Sequence, residues 1–352
     1  MTMPCLQVER PVQLFTLRNL RDMRVTVSEH GAALVSWWAP DRYGRMADVL
    51  LGYPGDDGYA RNDACLGAVV ERTSRVNEAL AGAAPRLHAR HWRGELVDGG
   101  AGLRLRPAAA DHADGAAAWS PGSALVEVCY RLADDGSLSI EVQALALAPA
   151  VLGLGSHACF NLNGGRADVR DHMLQIDADC YLEALGGAGD HAGDGGSGTG
   201  WREAAVSGTP FDFRRPAAIG PRLRWPHDQI GRAGGFDHCY RVGAAPGMGT
   251  GGEGGAGGVV GRPLRQVATI HDPGSGRSLQ VLTTEAGLRF YSGNRLGGVA
   301  GRGAKPYAPH AGFCLEAGAL RTHGGCVQAA GVLLRAGEVY RQATVYRLSL
   351  QA

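Results

Sequence analysis

ALVEVCYRLADDGSLSIEVQALAL, residues 124–147, is the stretch that decides the fold class. An apolar run ends at Leu132. Ala133-Asp134-Asp135-Gly136-Ser137 then carries the Asp-Gly signal of a hairpin turn. Beyond it, Leu138, Ile140 and Val142 alternate with Ser139, Glu141 and Gln143. Successive side chains of a strand point to opposite faces, so one face of this strand is apolar and the other polar. GLRLRP, residues 102–107, reads as a strand leading into the hairpin.

The same pattern spreads in both directions. In residues 13–52, Leu14, Thr16, Met23, Val25 and Val27 alternate, and AALVSWWAP and DVLLGY are short apolar runs closed by Gly or Pro. LGAVVERTSRVNEAL begins as a strand and ends as a loop or short helix. HMLQIDADCYLEAL reads as a strand pair or one long strand, and GGFDHCYRV, RQVATIHD and RSLQVLTTEAGLRFYSGN as further strands. The C-terminal GVLLRAGEVYRQATVYRLSL reads as a hairpin around Ala336-Gly337. Amphipathic helical periodicity is almost absent. Many short strands with regular turn signals predict an all-β sandwich or barrel.

Two glycine-rich runs, residues 186–200 and 243–258, lack the apolar content to offset the ordering of their backbone and read as surface loops. Neither contains GxxxxGK[ST], so neither is a phosphate loop. The 352 residues are read as one domain, 1–352, with ample material for a core. The formal charge of +1 is spread without a basic stripe, which argues against nucleic acid and anionic membrane as partners. No run has the length of a membrane span or a signal peptide core, so a cytoplasmic protein is expected. The eight cysteines form no CxxC pair and several lie in apolar runs, as buried reduced thiols do. His323 and Cys326 have a loose ligand spacing with no second pair, so no metal is expected.

GLGSHACFNLNG, residues 153–164, concentrates the chemistry. An apolar run delivers His157 next to Phe160 and Asn161, between glycines that let a ligand approach the backbone. A histidine on an apolar strand is by itself commonly a satisfied core residue. Asp237 and Glu316, further along, give it partners for acid–base chemistry.

Taken in order, eight segments resemble the aldose 1-epimerase (galactose mutarotase) family. They are HGAALVSWWAPDRYGRMADVLLGY, LGAVVERTSRV, GSHACFNLNG, SGTPFDFRRPAAIG, GFDHCYRV, LTTEAGLRFYSGN, GFCLEAG and LLRAGEVYRQATVYRL, and they span nearly the whole chain. The resemblance implies a large antiparallel β-sandwich of the galactose mutarotase type, with few helices, whose concave face holds a sugar without a cofactor. It implies that His157 is the general acid, that Glu316 is the general base, and that Asp237 and Arg75 grip sugar hydroxyls. Only sixteen residues separate Arg75 from Trp92, where relatives carry a longer hairpin ending in a His-Gly-Gly. Here His88 or His91 stands in that region, and His88 is taken as the second sugar-binding histidine. Ser74 precedes Arg75 where relatives tend to have Asn, and Ala317 follows Glu316 where they have a polar residue.

Interconverting the two anomers of a free aldose means opening the ring and closing it on the other face. The anomeric hydroxyl must lose a proton while the ring oxygen gains one, and the reverse must follow. A carboxylate whose burial lifts it above the usual value of about 4.3 serves as the base, and a histidine near 6.5 donates at neutral pH. The substrate expected is an aldohexose such as galactose or glucose, taken by a monomer or homodimer. Phe160 or Phe290 offers an apolar face to the ring, or is core. Glu285 is the rival carboxylate. His238 and His310 read as surface or structural. Two alternatives stay open: a weakened carbohydrate-binding module on the same fold, and a hexose-phosphate mutarotase using Arg72 and Arg75.

Overall fold

Ala124–Leu132 and Ser137–Ala146 form the expected hairpin, in antiparallel register from Leu132↔Leu138 to Ala124↔Ala146. Leu138, Ile140 and Val142 are buried, while Ser139, Glu141 and Gln143 face outward. The computed structural model describes residues 12–71, 87–108, 124–185, 201–243, 263–303, 305–323, 326–328 and 332–351. Among these residues the hairpin lies within a nine-stranded antiparallel sheet. The spatial order is Ala217–Ala218, Met173–Ile176, Arg265–His271, Arg277–Thr283, Val339–Leu350, Ser137–Ala146, Ala124–Leu132, Gly102–Pro107 and Trp92–Val97. The longest strand, Val339–Leu350, is central and pairs on both sides.

A five-stranded antiparallel sheet runs Trp201–Ala205, Cys180–Ala184, Asp237–Arg241, Gly287–Tyr291, Cys314–Gly318. A four-stranded meander, Leu14–Arg18, Arg24–Ser28, Leu34–Pro40 and Met46–Asp48, covers part of the core. One apolar cluster joins the sheets. Ile140, Tyr346 and Leu348 of the nine-stranded sheet pack in it with Leu288, Phe290 and Leu315 of the five-stranded one. The Tyr346 hydroxyl donates to the carbonyl of Leu315 at 2.7 Å, pinning the strand that carries Glu316 to the larger sheet. The helices described are short: Asp56–Arg61, Ile219–Leu223 and Asp228–Ala233. None is long and apolar enough to cross a membrane.

Three local readings change. In Leu14–Arg18 the period is right but Phe15 and Leu17 point inward, while Leu14 is exposed. HMLQIDADCYLEAL yields two strands, but Met173–Ile176 joins the nine-stranded sheet and Cys180–Ala184 the five-stranded one, so they do not pair with each other. The C-terminal hairpin also dissolves. Val332–Leu334 pairs with Ala150–Leu152, and Val339–Leu350 takes Ser137–Ala146 and Arg277–Thr283 instead. The first glycine-rich run lies outside the described residues, as does the second beyond Gly243.

Candidate active site

Leu154–Ser156 pairs with Val69–Glu71 and delivers His157 at its end. The His157 backbone donates to the carbonyl of Ala68 at 2.9 Å and accepts from Gly67 at 2.8 Å. Gly67 has a φ of +71°, and a Cβ there would stand 2.1 Å from the carbonyl oxygen of Leu34, so only glycine fits this close approach. Three residues on, Phe160 bridges to Phe313 and exchanges backbone hydrogen bonds of 2.7 and 2.9 Å with it. The chain is therefore held on both sides of His157 by elements remote in sequence.

Glu316 sits in the middle of Cys314–Gly318, at the edge of the five-stranded sheet. Register places Asp237, Tyr291 and Cys314 in one cross-strand row, and Cys239, Arg289 and Glu316 in the row two residues away. Residues two apart share a face, so these six point the same way. The alternate positions, Tyr240, Leu288, Phe290 and Leu315, point into the core.

On the first face His157 Nδ1 meets Glu316 Oε1 at 2.5 Å. An ionised carboxylate only accepts, so Nδ1 carries the hydrogen. Asp237 forms an ion pair with Arg289, whose Nε donates to Oδ1 at 2.5 Å. Side-chain exposure is 15% for His157 and 14% for Arg289, against 2% for Glu316 and 7% for Asp237. In each pair the cationic or protonatable group is thus the more exposed member and the carboxylate the more buried one. The Tyr291 ring stands 6.0 Å from the imidazole. Burial pushes the Tyr291 hydroxyl well above its ordinary value, so it stays protonated.

The other sequence candidates separate from this cluster. Arg75 and Arg72 lie outside the described residues. His88 is half-buried in the 3-10 turn Leu87–Ala89, which packs beside Val69–Glu71. His91 lies 3.5 Å from Glu29, and His310 Nδ1 lies 2.8 Å from the Ser292 carbonyl. His238 points to the reverse face against Phe211. Glu285 accepts the Tyr340 hydroxyl at 2.9 Å. Asn161 donates to the carbonyls of Ala167 and Ala311, a structural role. Phe160 and Phe290 are fully buried, Phe160 against Phe313 and Tyr346, Phe290 against Phe213 and Phe236. Neither offers a face to a sugar.

Arg289 and Tyr291 are residues that sequence reading passed over. Alternation in LRFYSGN sets them apart from Leu288 and Phe290, but only the register with Asp237–Arg241 and Cys314–Gly318 tells which face carries the site.

Compared with known proteins, the chain matches the family model described as aldose 1-epimerase over residues 13–79 and 82–347. The chain belongs to the aldose 1-epimerase family. It is therefore of an isomerase class. It is 31% identical to the aldose 1-epimerase of Escherichia coli (strain K12) over 96% of its own length and 95% of that protein. It is 30% identical to the galactose mutarotase of Bos taurus, over 96% and 94%. Among solved structures, an aldose epimerase homologue from C. elegans superposes with a TM-score of 0.74 at 20% identity, covering 97% of this chain and all (100%) of that one. A galactose 1-epimerase from Lactobacillus acidophilus gives 0.70 at 21% identity, covering 98% and 97%. These structural likenesses extend the family's β-sandwich fold to this member.

Proposed function

We propose that this family member is a mutarotase for a free aldohexose such as galactose or glucose, with Glu316 as base and His157 as acid. The observation that carries the reading is the direct 2.5 Å contact between an imidazole and a buried carboxylate, beside the Asp237–Arg289 pair.

In the free protein the imidazole and carboxylate satisfy each other. A bound sugar takes over their hydrogen bonds. Glu316 removes the proton from the anomeric hydroxyl while His157, protonated, gives one to the ring oxygen. The bond between the anomeric carbon and the ring oxygen breaks, leaving an aldehyde and a ring-carbon hydroxyl. Rotation about the adjacent carbon–carbon bond turns the other face of the carbonyl. The same groups then run the transfers backwards, His157 regaining its proton and Glu316 returning its own. Each proton transfer contributes roughly 10²–10⁴-fold. Asp237 accepts from sugar hydroxyls and Arg289 donates to them, which holds the ring while its anomeric centre reacts. Arg75 and His88 are proposed as further sugar contacts.

The test follows the optical rotation of freshly dissolved α-galactose and α-glucose with and without the protein. Acceleration that is lost in both Glu316→Gln and His157→Asn is expected. Binding of sugar with no acceleration over buffer would leave a carbohydrate-binding module instead.

A further inference from the structure

A second pair of reactive groups flanks the acid–base pair. Because Phe160 and Phe313 exchange both backbone hydrogen bonds, odd steps away from them are the close, non-hydrogen-bonded positions of the ladder. One step places Cys159 opposite Cys314, and three steps place His157 opposite Glu316. The side chains agree with that register. The Cys159 and Cys314 sulfurs are 2.8 Å apart, and the Cys314 sulfur is 3.9 Å from His157 Nε2. The imidazole nitrogen and the two sulfurs all lie within 4.8 Å of one another. The cysteines are 155 residues apart in the chain, so no ligand spacing announces them.

Three features suit this group to a metal. The donors are two thiols and an imidazole, a set that selects soft or borderline cations of the zinc class over magnesium and calcium. The imidazole is held through Nδ1–H by the Glu316 carboxylate, which leaves the Nε2 lone pair turned toward the sulfurs. A carboxylate orienting a histidine in this way is the usual outer partner of a metal-bound imidazole. Finally, His157 is the partly exposed member beside two buried cysteines, so a cation reaches the group from its side.

We propose that His157 Nε2, Cys159 Sγ and Cys314 Sγ form a binding site for one thiophilic divalent cation, oriented by Glu316, and that filling it switches off His157. The inhibitory half of this proposal rests on the mutarotase reading; the binding half does not. Both cysteines are buried, and burial pushes the Cys314 thiol well above its ordinary value, so without metal that thiol is protonated. Binding releases one proton from each thiol and forms two metal–sulfur bonds and one metal–nitrogen bond. With metal–sulfur distances of about 2.3 Å, tetrahedral geometry sets the sulfurs about 3.8 Å apart, so they separate by about 1 Å through side-chain rotation. The Nε2 lone pair is then committed to the metal. His157 can no longer become the imidazolium that protonates a ring oxygen.

The test titrates the fully reduced whole chain with Co²⁺ alone. One equivalent is expected to produce thiolate-to-cobalt charge-transfer absorption and tetrahedral ligand-field bands, both displaced by Zn²⁺. Cys159→Ser is expected to lose the bands. On the wild-type protein with one equivalent of Zn²⁺, X-ray absorption is expected to give two sulfurs at about 2.3 Å and nitrogen at about 2.0 Å. A first shell without sulfur, bands that survive in Cys159→Ser, or a Cys159–Cys314 disulfide that persists in reductant would overturn the site. The ratio of mutarotation rates with and without Zn²⁺ is expected to fall at least tenfold in wild type and to return to one in Cys159→Ser. Metal binding by these criteria with an unchanged rate ratio would overturn the switch and keep the site. Metal binding in a protein with no mutarotation would overturn the mutarotase reading and leave the metal site standing.

Discussion

Two buried carboxylates, Glu316 and Glu285, have surroundings that make them different objects. Glu316 meets a histidine that is partly open to solvent, and its neighbours Asp237 and Arg289 form a charged pair on the same face. Glu285 accepts from the hydroxyl of Tyr340, whose oxygen also lies 3.1 Å from Gln342 Oε1. Gln342 in turn donates to the carbonyl of Ala317, next to Glu316, at 3.3 Å. The Glu285 cluster is a strut between the two large sheets. Burial, together with the Glu285 charge, holds the Tyr340 hydroxyl far above its ordinary value, so it stays a donor at any working pH. Equal burial of two carboxylates therefore says little about function. An imidazole partner that touches solvent does.

The largest effect that tests this contrast is on rate. Glu316→Gln is expected to lower mutarotation by about 10²–10⁴-fold with an unchanged denaturation midpoint, whereas Glu285→Gln is expected to keep the rate. Polarimetry on both variants decides it, and equal losses in the two would erase the distinction. Next comes the charged pair. Arg289→Ala removes a donor and leaves Asp237 buried without it, which is expected to weaken sugar binding by about 1.5–3 kcal/mol, seen as a raised KM with a smaller change in kcat. A pure kcat loss would reassign Arg289 to the proton transfers.

The strut is tested by stability. Tyr340→Phe strips the hydroxyl from a buried acceptor and is expected to lower unfolding free energy by about 1–3 kcal/mol in urea, while the activity of the folded protein stays. Activity lost without a stability change would move the Glu285 cluster into the site. The smallest effect concerns His172, a buried histidine outside both clusters. Its Nε2 accepts from the Leu162 backbone at 3.1 Å, and burial depresses its pKa from 6.5 to about 4. Between these values the unfolded chain binds the extra proton, so stability is complete above about 6.5 and is lost as pH falls toward 4. From pH 7 to 5.5 the loss from this group is about 1.2 kcal/mol. Urea midpoints at the two pH values should show that slope in wild type and lose it in His172→Asn.

Much of the architecture is legible along the chain. Alternation in residues 124–147 names the hairpin, its turn and its buried face, because side-chain direction in a strand is a local property. The family motifs name His157, Glu316 and Asp237. Partner choice is different. Val332–Leu334 and Val339–Leu350 look like one hairpin, yet each finds a distant strand, since pairing is decided by the surface buried in the assembled sheets. The same holds within the site. Sequence alone determined that a histidine, an aspartate and a glutamate stand on apolar strands. Tertiary structure decided that Glu316 touches His157, that Arg289 rather than Phe290 shares a face with Glu316, and that Cys159 meets Cys314. Those contacts join segments whose register is set only when the sheets close around a common core, and no spacing within the chain encodes it.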